Sequence, residues 1–518
     1  MFGTSLRRAA CIHGNRFAFL CQERSIDWFT LLERASRLST GLGRLGIVRG
    51  DRLAMLLPNG LIGIELFASA VLSGYVIVPL NFRWSIDELA DALTDSSAKA
   101  LVVDDHFRDS GVAAAVRAQS ILIDGGSRPA EGSIIYESLF DAFSSPIDDC
   151  DDSALLAIFY TGGTTGRSKG VMLSHGNAAY VAMASMAEGA YGTDEIYLHT
   201  SPSFHIAGAM NVFQAFICAS RNVVLPRFEA GAALAAISAQ GVTQSLLVPT
   251  MIGMILDHAN FTATDTSSIR RILYGAAPMT EALLDRAMAA FPRAEFMQLY
   301  GMTETASNAC ILHSRVFTVP DGKRFLSRSV GRAMVGSEVG IFGQAGDLLS
   351  PGEVGEIAIR GPGVMIGYWN RPDATAAAVR GGWMHTGDGG SMDAEGYVYL
   401  ADRIKDMIIS GGENIYSLEV EAVLVEHPSV RQCAVIGVPH PVWGEAVHAI
   451  VTLNDGASFD ERALIDFCRS KLSGYKLPRS IEHRDELPLT AAGKVMKRDL
   501  RAPFWAHLEP PHAAPVVG

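Results

Sequence analysis

Thr161-Gly162-Gly163-Thr164-Thr165-Gly166-Arg167-Ser168-Lys169-Gly170 is the stretch on which the reading of this 518-residue chain turns. Its ten residues hold four glycines, three threonines, a serine, an arginine and a lysine, and no acid. Glycine lets the backbone take φ > 0 and aim successive N–H groups at one point. The hydroxyls add donors, and Lys169 adds a full positive charge. Two readings are open for such a stretch alone: a glycine-rich surface turn, or a loop that grips a polyphosphate. Its flanks define the setting. Leu155–Tyr160 reads as a buried strand before it and Val171–Leu173 as a short strand after it. A Walker A loop runs from strand to helix and ends in Gly-Lys-Ser/Thr. Here Ser168 precedes Lys169 and Gly170 follows it, so that motif fails on sequence and on setting.

Upstream, Arg52–Leu57 and Tyr75–Leu80 read as strands, separated by helical apolar spacing over Leu61–Leu72. Ser85 and Glu88 form a capping box ahead of another helix, and Ala100–Val103 is a third strand. Alternation of this kind implies a parallel sheet covered by helices. A similar alternation continues from Leu198 to about Leu299, with helices over Gly231–Ala239 and Glu281–Ala290. From Gly331 to Arg360 the texture changes to short strands and Gly/Pro turns, which predicts a small barrel-like sheet. The charged, turn-like run Asp402-Arg403-Ile404-Lys405-Asp406 marks a boundary. Beyond it lie strands over Met407–Ile409, Val430–Val438 and Val447–Leu453, a helix capped by Ser417, and a helix over Leu464–Leu472. The tail from Pro503 is expected to fray. The fold class is α/β: a large N-terminal domain (residues 1–402) of layered α/β sheets plus the small barrel-like sheet, then a small α+β C-terminal domain (403–518).

Composition narrows the function. Hydrophobic residues make up 48% of the chain, enough for large cores, and the net charge is −12 with no basic block. Nucleic-acid binding and an electrostatic grip on anionic membranes are disfavoured. The seven cysteines are scattered, odd in number and lack a Cys-x-x-Cys pair, which suits a reduced, cytoplasmic compartment. His13, Asn15 and Arg16 break up any signal-peptide core after Arg7 and Arg8. Leu61–Leu80 is the most apolar window, but Glu65, Gly74 and Pro79 interrupt it, and no membrane span is expected.

Further segments share the unusual character of the first. Ser203-Phe204-His205-Ile206-Ala207-Gly208 places a histidine among apolar residues. Tyr274-Gly275-Ala276-Ala277-Pro278 offers close backbone approach. Tyr300-Gly301-Met302-Thr303-Glu304 sets an aromatic face, a hydroxyl and a carboxylate together. His385-Thr386-Gly387-Asp388 ends in an acid suited to a ribose diol. Ser410-Gly411-Gly412-Glu413-Asn414 is a tight turn, and Leu489-Thr490-Ala491-Ala492-Gly493-Lys494 leaves a lysine on a late loop. Each is weak alone. In this order, from about residue 15 to residue 500, they resemble the adenylate-forming superfamily of acyl-CoA synthetases, firefly luciferase and peptide-synthetase adenylation domains.

That resemblance implies two steps. A carboxylate attacks the α-phosphate of ATP, giving an acyl-adenylate and pyrophosphate; a thiol then attacks the acyl carbon and displaces AMP. Lys494 matches the family's catalytic lysine. His205 matches a residue at the mouth of the acyl pocket, and Thr303 lies in the motif beside the reacting groups. Thr161, Gly163, Thr164, Thr165 and Lys169 would hold the β,γ-phosphates. Glu304 would bind Mg²⁺. Tyr300 would stack on adenine, with Gly275, Ala276 and Ala277 on its other side and Gly301 following. Asp388 would accept the ribose hydroxyls, assisted by Arg403. The C-terminal domain of the family is mobile and rotates between steps, about a hinge matching Lys405. That rotation brings in the face with Ser410, Gly411 and Gly412. Trp443, with Gly444, Glu445, Tyr475 and Lys476, matches segments lining the CoA channel, although Trp443 could equally anchor a core. Arg83 aligns with an arginine near the CoA nucleotide, or is a surface charge flanking a helix.

Amino-acid adenylation is disfavoured, because no acid stands near His205 to pair a substrate amine. The expected enzyme is an ATP-dependent acyl-CoA synthetase for a fatty or aromatic carboxylic acid, with a stand-alone ligase loading a carrier protein as the alternative. A non-catalytic relative would have lost Lys169, Glu304, Asp388, Arg403 or Lys494, and all stand. A homodimer is admitted, and the oligomeric state stays open. Three positions depart from the common family pattern: Ser168 and Ser417 stand where many relatives have proline, and Gly162 where many have serine.

Overall fold

A computed structural model describes residues 1–141, 150–161, 168–277, 279–318, 324–403, 406–410, 413–489 and 495–506, with backbone alone at 324, 402, 403 and 414. The chain divides into two compact units. The first comprises Met1–Ala276, Ala287–Val339 and Ile359–His385; the second comprises Ala277–Arg286, Gly340–Ala358 and Thr386–Gly518.

The first unit holds two large sheets. In one, eight strands run in the order Gly367–Tyr368, Lys169–Ser174, Leu155–Thr161, Val76–Pro79, Arg52–Leu56, Ala98–Val103, Ile121–Asp124 and Ile134–Ile135. Leu155–Thr161 and the strands after it in that order pair in parallel. Leu53, Ala54, Met55 and Leu56 are all buried, as a central parallel strand covered on both faces requires. Helix Leu61–Ser73 buries nearly every side and stops at Gly74, whose φ of 78° a side chain would disfavour. The membrane-like window is therefore a core helix followed by a core strand. Among the described residues no helix is long and apolar enough to cross a membrane. Glu65 sits inside that helix because Arg34 Nε and the Tyr136 hydroxyl donate to it at 2.6 and 2.8 Å. Ser85 and Glu88 form the expected capping box.

The other sheet has nine strands. Its centre is parallel, with Gln244–Leu247, Arg271–Gly275 and Glu295–Tyr300 side by side; Cys310–His313 returns antiparallel next to Glu295–Tyr300, and Arg332–Ala333 forms the edge. The carboxyl ends of Arg271–Gly275 and Glu295–Tyr300 therefore emerge together, with Gly275 opposite Leu299. Loops at such ends are where ligands bind in α/β sheets.

The region of short strands forms a five-stranded sheet from Glu338–Phe342, Gly355–Arg360, Val379–Arg380, Trp383–Met392 and Val398–Arg403. In the C-terminal part of the second unit, Glu413–Ile415, Ile408–Ser410, Gly444–Leu453 and Val430–His440 form an antiparallel series, and Ser480–His483 adds in parallel. Ile408, Ile415, Val420, Leu424, Val447 and Leu464 fill the core beneath helices Ser417–Leu424 and Glu461–Arg469.

Two expectations need correction. Ser417 is not a cap: Tyr416 holds that position, and the buried Ser417 hydroxyl faces the Lys497 ammonium. The expected fray does not begin at Pro503, and the rest of that tail, residues 507–518, lies outside the described residues. A helix runs over Lys497–Trp505, with the Trp505 indole N–H donating to Gly437 O at 3.1 Å.

Candidate active site

Apolar runs on both sides of the glycine-rich stretch make it a hairpin. Strands Leu155–Thr161 and Lys169–Ser174 pair antiparallel, with Thr161 opposite Lys169. Residues 162–167 lie outside the described residues, and with them Gly163, Thr164 and Thr165. The far edge of the hairpin receives Gly367–Tyr368, with Tyr368 opposite Val171. Trp369 N–H donates to Gly170 O at 2.7 Å, which locks the register. This pairing sets the Tyr368 ring 5.0 Å from Lys169 Nζ.

Glu304 arrives from the second sheet of the same unit. Tyr300 ends its strand, and Gly301 follows where a Cβ would lie 2.1 Å from Ser307 O, so only glycine fits the turn. A short 3-10 turn, Thr303–Thr305, then presents Glu304. Glu304 is 6% exposed. The Tyr368 hydroxyl donates to Glu304 Oε1 at 2.7 Å, and Met365 N–H donates to Glu304 O at 2.8 Å. Burial, followed by the neighbouring carboxylate, pushes the Tyr368 phenol well above its ordinary pKa. The structure thus brings Lys169, Tyr368 and Glu304 into one cluster of cation, phenol and carboxylate. Thr303 is half-buried beside it. Gly275 and Ala276 end the strand next to that of Tyr300, with Ala276 at φ 65°. Ala277 belongs to the second unit.

His205 stands at the amino end of helix Ile206–Cys218. Its ring lies 4.4 Å from that of Phe204, which meets Phe82 edge-on at 4.8 Å; Phe82 stacks on Phe107 at 4.9 Å. An aromatic wall therefore adjoins His205. Arg83, next to Phe82, is exposed.

In the second unit, Asp388 and Arg403 are direct cross-strand partners. Gly387, at φ 73°, turns the chain ahead of Asp388, and Thr386 Oγ1 accepts from Asp388 N–H at 3.1 Å. Ser410 ends strand Ile408–Ser410 and pairs with Gly444. The buried Glu445 accepts from Ile409 N–H and from Arg501 Nη2, each at 3.0 Å. Trp443 is not a core anchor: it is 37% exposed, stacked on His440 at 4.2 Å, with the Arg479 guanidinium 4.7 Å from its ring. The Tyr475 ring is exposed, and Lys476 Nζ pairs with Glu419 at 2.7 Å. Lys405, Gly411, Gly412 and Lys494 lie outside the described residues. The ends of the Lys494 loop meet in a bridge between Leu489 and Val495.

Tyr368 is the functional candidate that sequence reasoning missed. Its signal is the aromatic pair in Gly367-Tyr368-Trp369-Asn370, a turn-like segment rich in large rings.

With this geometry in place, comparison with known proteins is decisive. The AMP-binding enzyme family model matches residues 6–369, and the model of the AMP-binding enzyme C-terminal domain matches residues 419–494. The chain belongs to the AMP-binding enzyme family. It is an adenylate-forming acid–thiol ligase. It is 39% identical over 491 residues to a feruloyl-CoA synthase of an Amycolatopsis species, covering 93% of this chain and 94% of the relative. It is 35% identical to the fatty acid–[acyl-carrier-protein] ligase ScoC of Streptomyces coeruleorubidus, covering 94% and 93%. The structure of the o-succinylbenzoate CoA synthetase MenE from Bacillus subtilis, in complex with its acyl-adenylate intermediate, superimposes with a TM-score of 0.84 at 31% identity, covering 96% of this chain and 97% of that one.

Proposed function

We propose that this chain is an ATP-dependent acyl-CoA synthetase whose acid is aromatic, of the arylpropenoic class. The observation that carries the reaction is the Lys169–Tyr368–Glu304 cluster at the mouth of a strand–loop–strand hairpin. It offers a cation for phosphate and a buried carboxylate for a hard metal ion. Likeness to the feruloyl-CoA synthase and the aromatic wall of Phe204, Phe82 and Phe107 beside His205 support the choice of acid.

In the first step, a carboxylate oxygen of the acid bonds to the α-phosphorus of ATP and pyrophosphate leaves. Lys169, with Thr161 and the loop residues Gly163, Thr164 and Thr165, holds the departing phosphates. Lys494 serves the α-phosphate, where negative charge grows in the transition state. Tyr300, Gly301 and Gly275–Ala277 bracket adenine, and Asp388 with Arg403 holds the ribose. Mg²⁺ fits Glu304: the buried carboxylate is a hard oxygen donor, and Mg²⁺ is an ion carried by one or two carboxylates plus nucleotide phosphates. When bound, it would neutralise phosphate charge. In the second step the CoA thiol attacks the acyl carbon and AMP leaves. Ser410, Gly411, Gly412, Trp443 and Arg83 are assigned to that step. The 1–402 and 403–518 division, the hinge near Lys405 and a cytoplasmic location belong to the same proposal.

Likeness to ScoC favours a second reading, in which the acceptor is a carrier protein. A pyrophosphate-release screen across acetate, octanoate, palmitate, benzoate and cinnamates, with and without free CoA, tests both. Fastest release with cinnamates and formation of their CoA thioesters is expected. Release with no thioester would favour the carrier protein, and a preference for palmitate would overturn the aromatic assignment.

A further inference from the structure

We propose that Tyr368 is a positioning residue of the nucleotide site: its hydroxyl sets the Glu304 carboxylate and its ring sets the Lys169 ammonium, so that both meet the metal-bound phosphates already oriented. The inference rests on the adenylation reading above.

Tyr368 is 8% exposed and Glu304 6%, so the 2.7 Å hydrogen bond between them lies in surroundings that strengthen charge-assisted contacts. Lys169 Nζ, 5.0 Å from the ring centroid, lies within cation–π range. A ring face holds an ammonium without satisfying its charge as a carboxylate would, and a phosphate oxygen can take it over. Backbone contacts make the arrangement rigid. Ile366 N–H donates to Met172 O at 3.0 Å and Trp369 N–H to Gly170 O at 2.7 Å, while Met365 N–H donates to Glu304 O at 2.8 Å. Tyr368 N–H donates to Thr375 Oγ1 at 2.9 Å. One five-residue segment, 365–369, therefore ties the hairpin bearing Lys169 to the turn bearing Glu304. Tyr368 is the side chain in it that addresses both charged groups.

Two variants separate the two contacts. Tyr368→Phe keeps the ring and removes the hydroxyl; Tyr368→Leu removes both. Groups that orient a metal-binding side chain are typically worth about 10–100-fold in metal affinity, so Tyr368→Phe should raise half-saturating Mg²⁺ at least about tenfold, with kcat at saturating Mg²⁺ within about twofold of wild type. Tyr368→Leu should show the same Mg²⁺ shift and, in addition, a raised KM for ATP at saturating Mg²⁺. Calorimetric titration of Mg²⁺ into full-length enzyme with α,β-methylene-ATP reads the shift without turnover. Glu304→Gln should raise half-saturating Mg²⁺ on its own, and Tyr368→Phe added to it should raise it no further. Lower thermal stability in the Tyr368 variants with unchanged Mg²⁺ dependence would reduce Tyr368 to a packing residue and overturn the proposal. If wild-type enzyme released no pyrophosphate with any acid, the adenylation reading would fail, while the α,β-methylene-ATP titration would still decide the role of Tyr368.

Discussion

Lys497 Nζ lies 2.8 Å from Glu421 Oε1, three residues beyond Lys494. The same carboxylate oxygen accepts from Val435 N–H at 2.7 Å. One turn further along the helix, Arg501 reaches the buried Glu445. Two ion pairs thus hold the segment after Lys494 against helix Ser417–Leu424 and strand Gly444–Leu453. The side chains of Lys497 and Glu421 are 13% and 15% exposed, so removing one partner strands a mostly desolvated charge. Glu421→Ala should lower stability by about 3 kcal/mol, at the lower end for breaking a buried pair. Urea unfolding would read this, and Glu421→Gln should cost less. A loss under about 0.5 kcal/mol would mean that the pair is solvated like an ordinary surface bridge.

Lys494→Ala should abolish adenylate formation while largely sparing thioester formation from supplied acyl-AMP. One preorganised neutral donor at a developing oxyanion is worth about 3–4 kcal/mol, so loss of this cation should cost at least a factor of about 150 in the first half-reaction. Pyrophosphate release and thioester formation, assayed separately, give the two rates. An equal fall in both would contradict a lysine that serves only the first step.

The hairpin around Lys169 was legible because uninterrupted apolar runs flank a glycine-rich stretch, and the pairing of Thr161 with Lys169 follows. The Lys169–Tyr368–Glu304 cluster was not, because it depends on a two-residue strand, Gly367–Tyr368, joining the hairpin from far along the chain. Two residues carry no periodicity. The opposition of Asp388 and Arg403 was hidden for a related reason: the register shifts between Gly389 and Gly390, and a shift of this kind has no signature in residue types. Ser417 was misread because a serine at a helix start looks like a cap from composition alone. Its burial against Lys497 is decided by tertiary packing.

His175 and His199 set a pH dependence of stability. Burial lowers the pKa of each to about 4, and Asn222, 3.0 Å from His199 Nε2, offsets this only in part. Both are therefore neutral in the folded state near pH 6.5, while their unfolded counterparts begin to protonate there. Between about pH 6.5 and pH 4 the unfolded state binds more protons, so stability is full above that window and falls as pH drops through it. Each group contributes a slope of up to about 1.4 kcal/mol per pH unit. His199→Gln should flatten the fall in urea midpoint between pH 6.5 and pH 5 by the share of one proton. An unchanged slope would mean that His199 is charged in the fold.

Gly301→Ala should damage the nucleotide site more than its size suggests. The added Cβ would lie 2.1 Å from Ser307 O, a backbone atom that cannot swing aside. The turn carrying Glu304 would have to shift. Forced overpacking costs about 1–3 kcal/mol, and the displacement should appear as a raised KM for ATP. Wild-type KM and stability would show that the turn yields without moving Glu304.

Lys405→Pro tests the hinge. Residues that absorb the φ/ψ change of a domain rotation are few, and proline locks φ near −65° and removes the N–H. If the C-terminal domain must turn about residue 405 after adenylation, a stiff bond there traps the adenylating arrangement. Pyrophosphate release in a single turnover should then stay within about threefold of wild type, while thioester formation from supplied acyl-AMP should drop by at least about tenfold, some 1.4 kcal/mol of barrier. Lys405→Ala removes the charge and leaves φ free, so it separates the two properties. A drop shared by the alanine variant would point to the ammonium, and an equal loss of both half-reactions in the proline variant would place the hinge elsewhere.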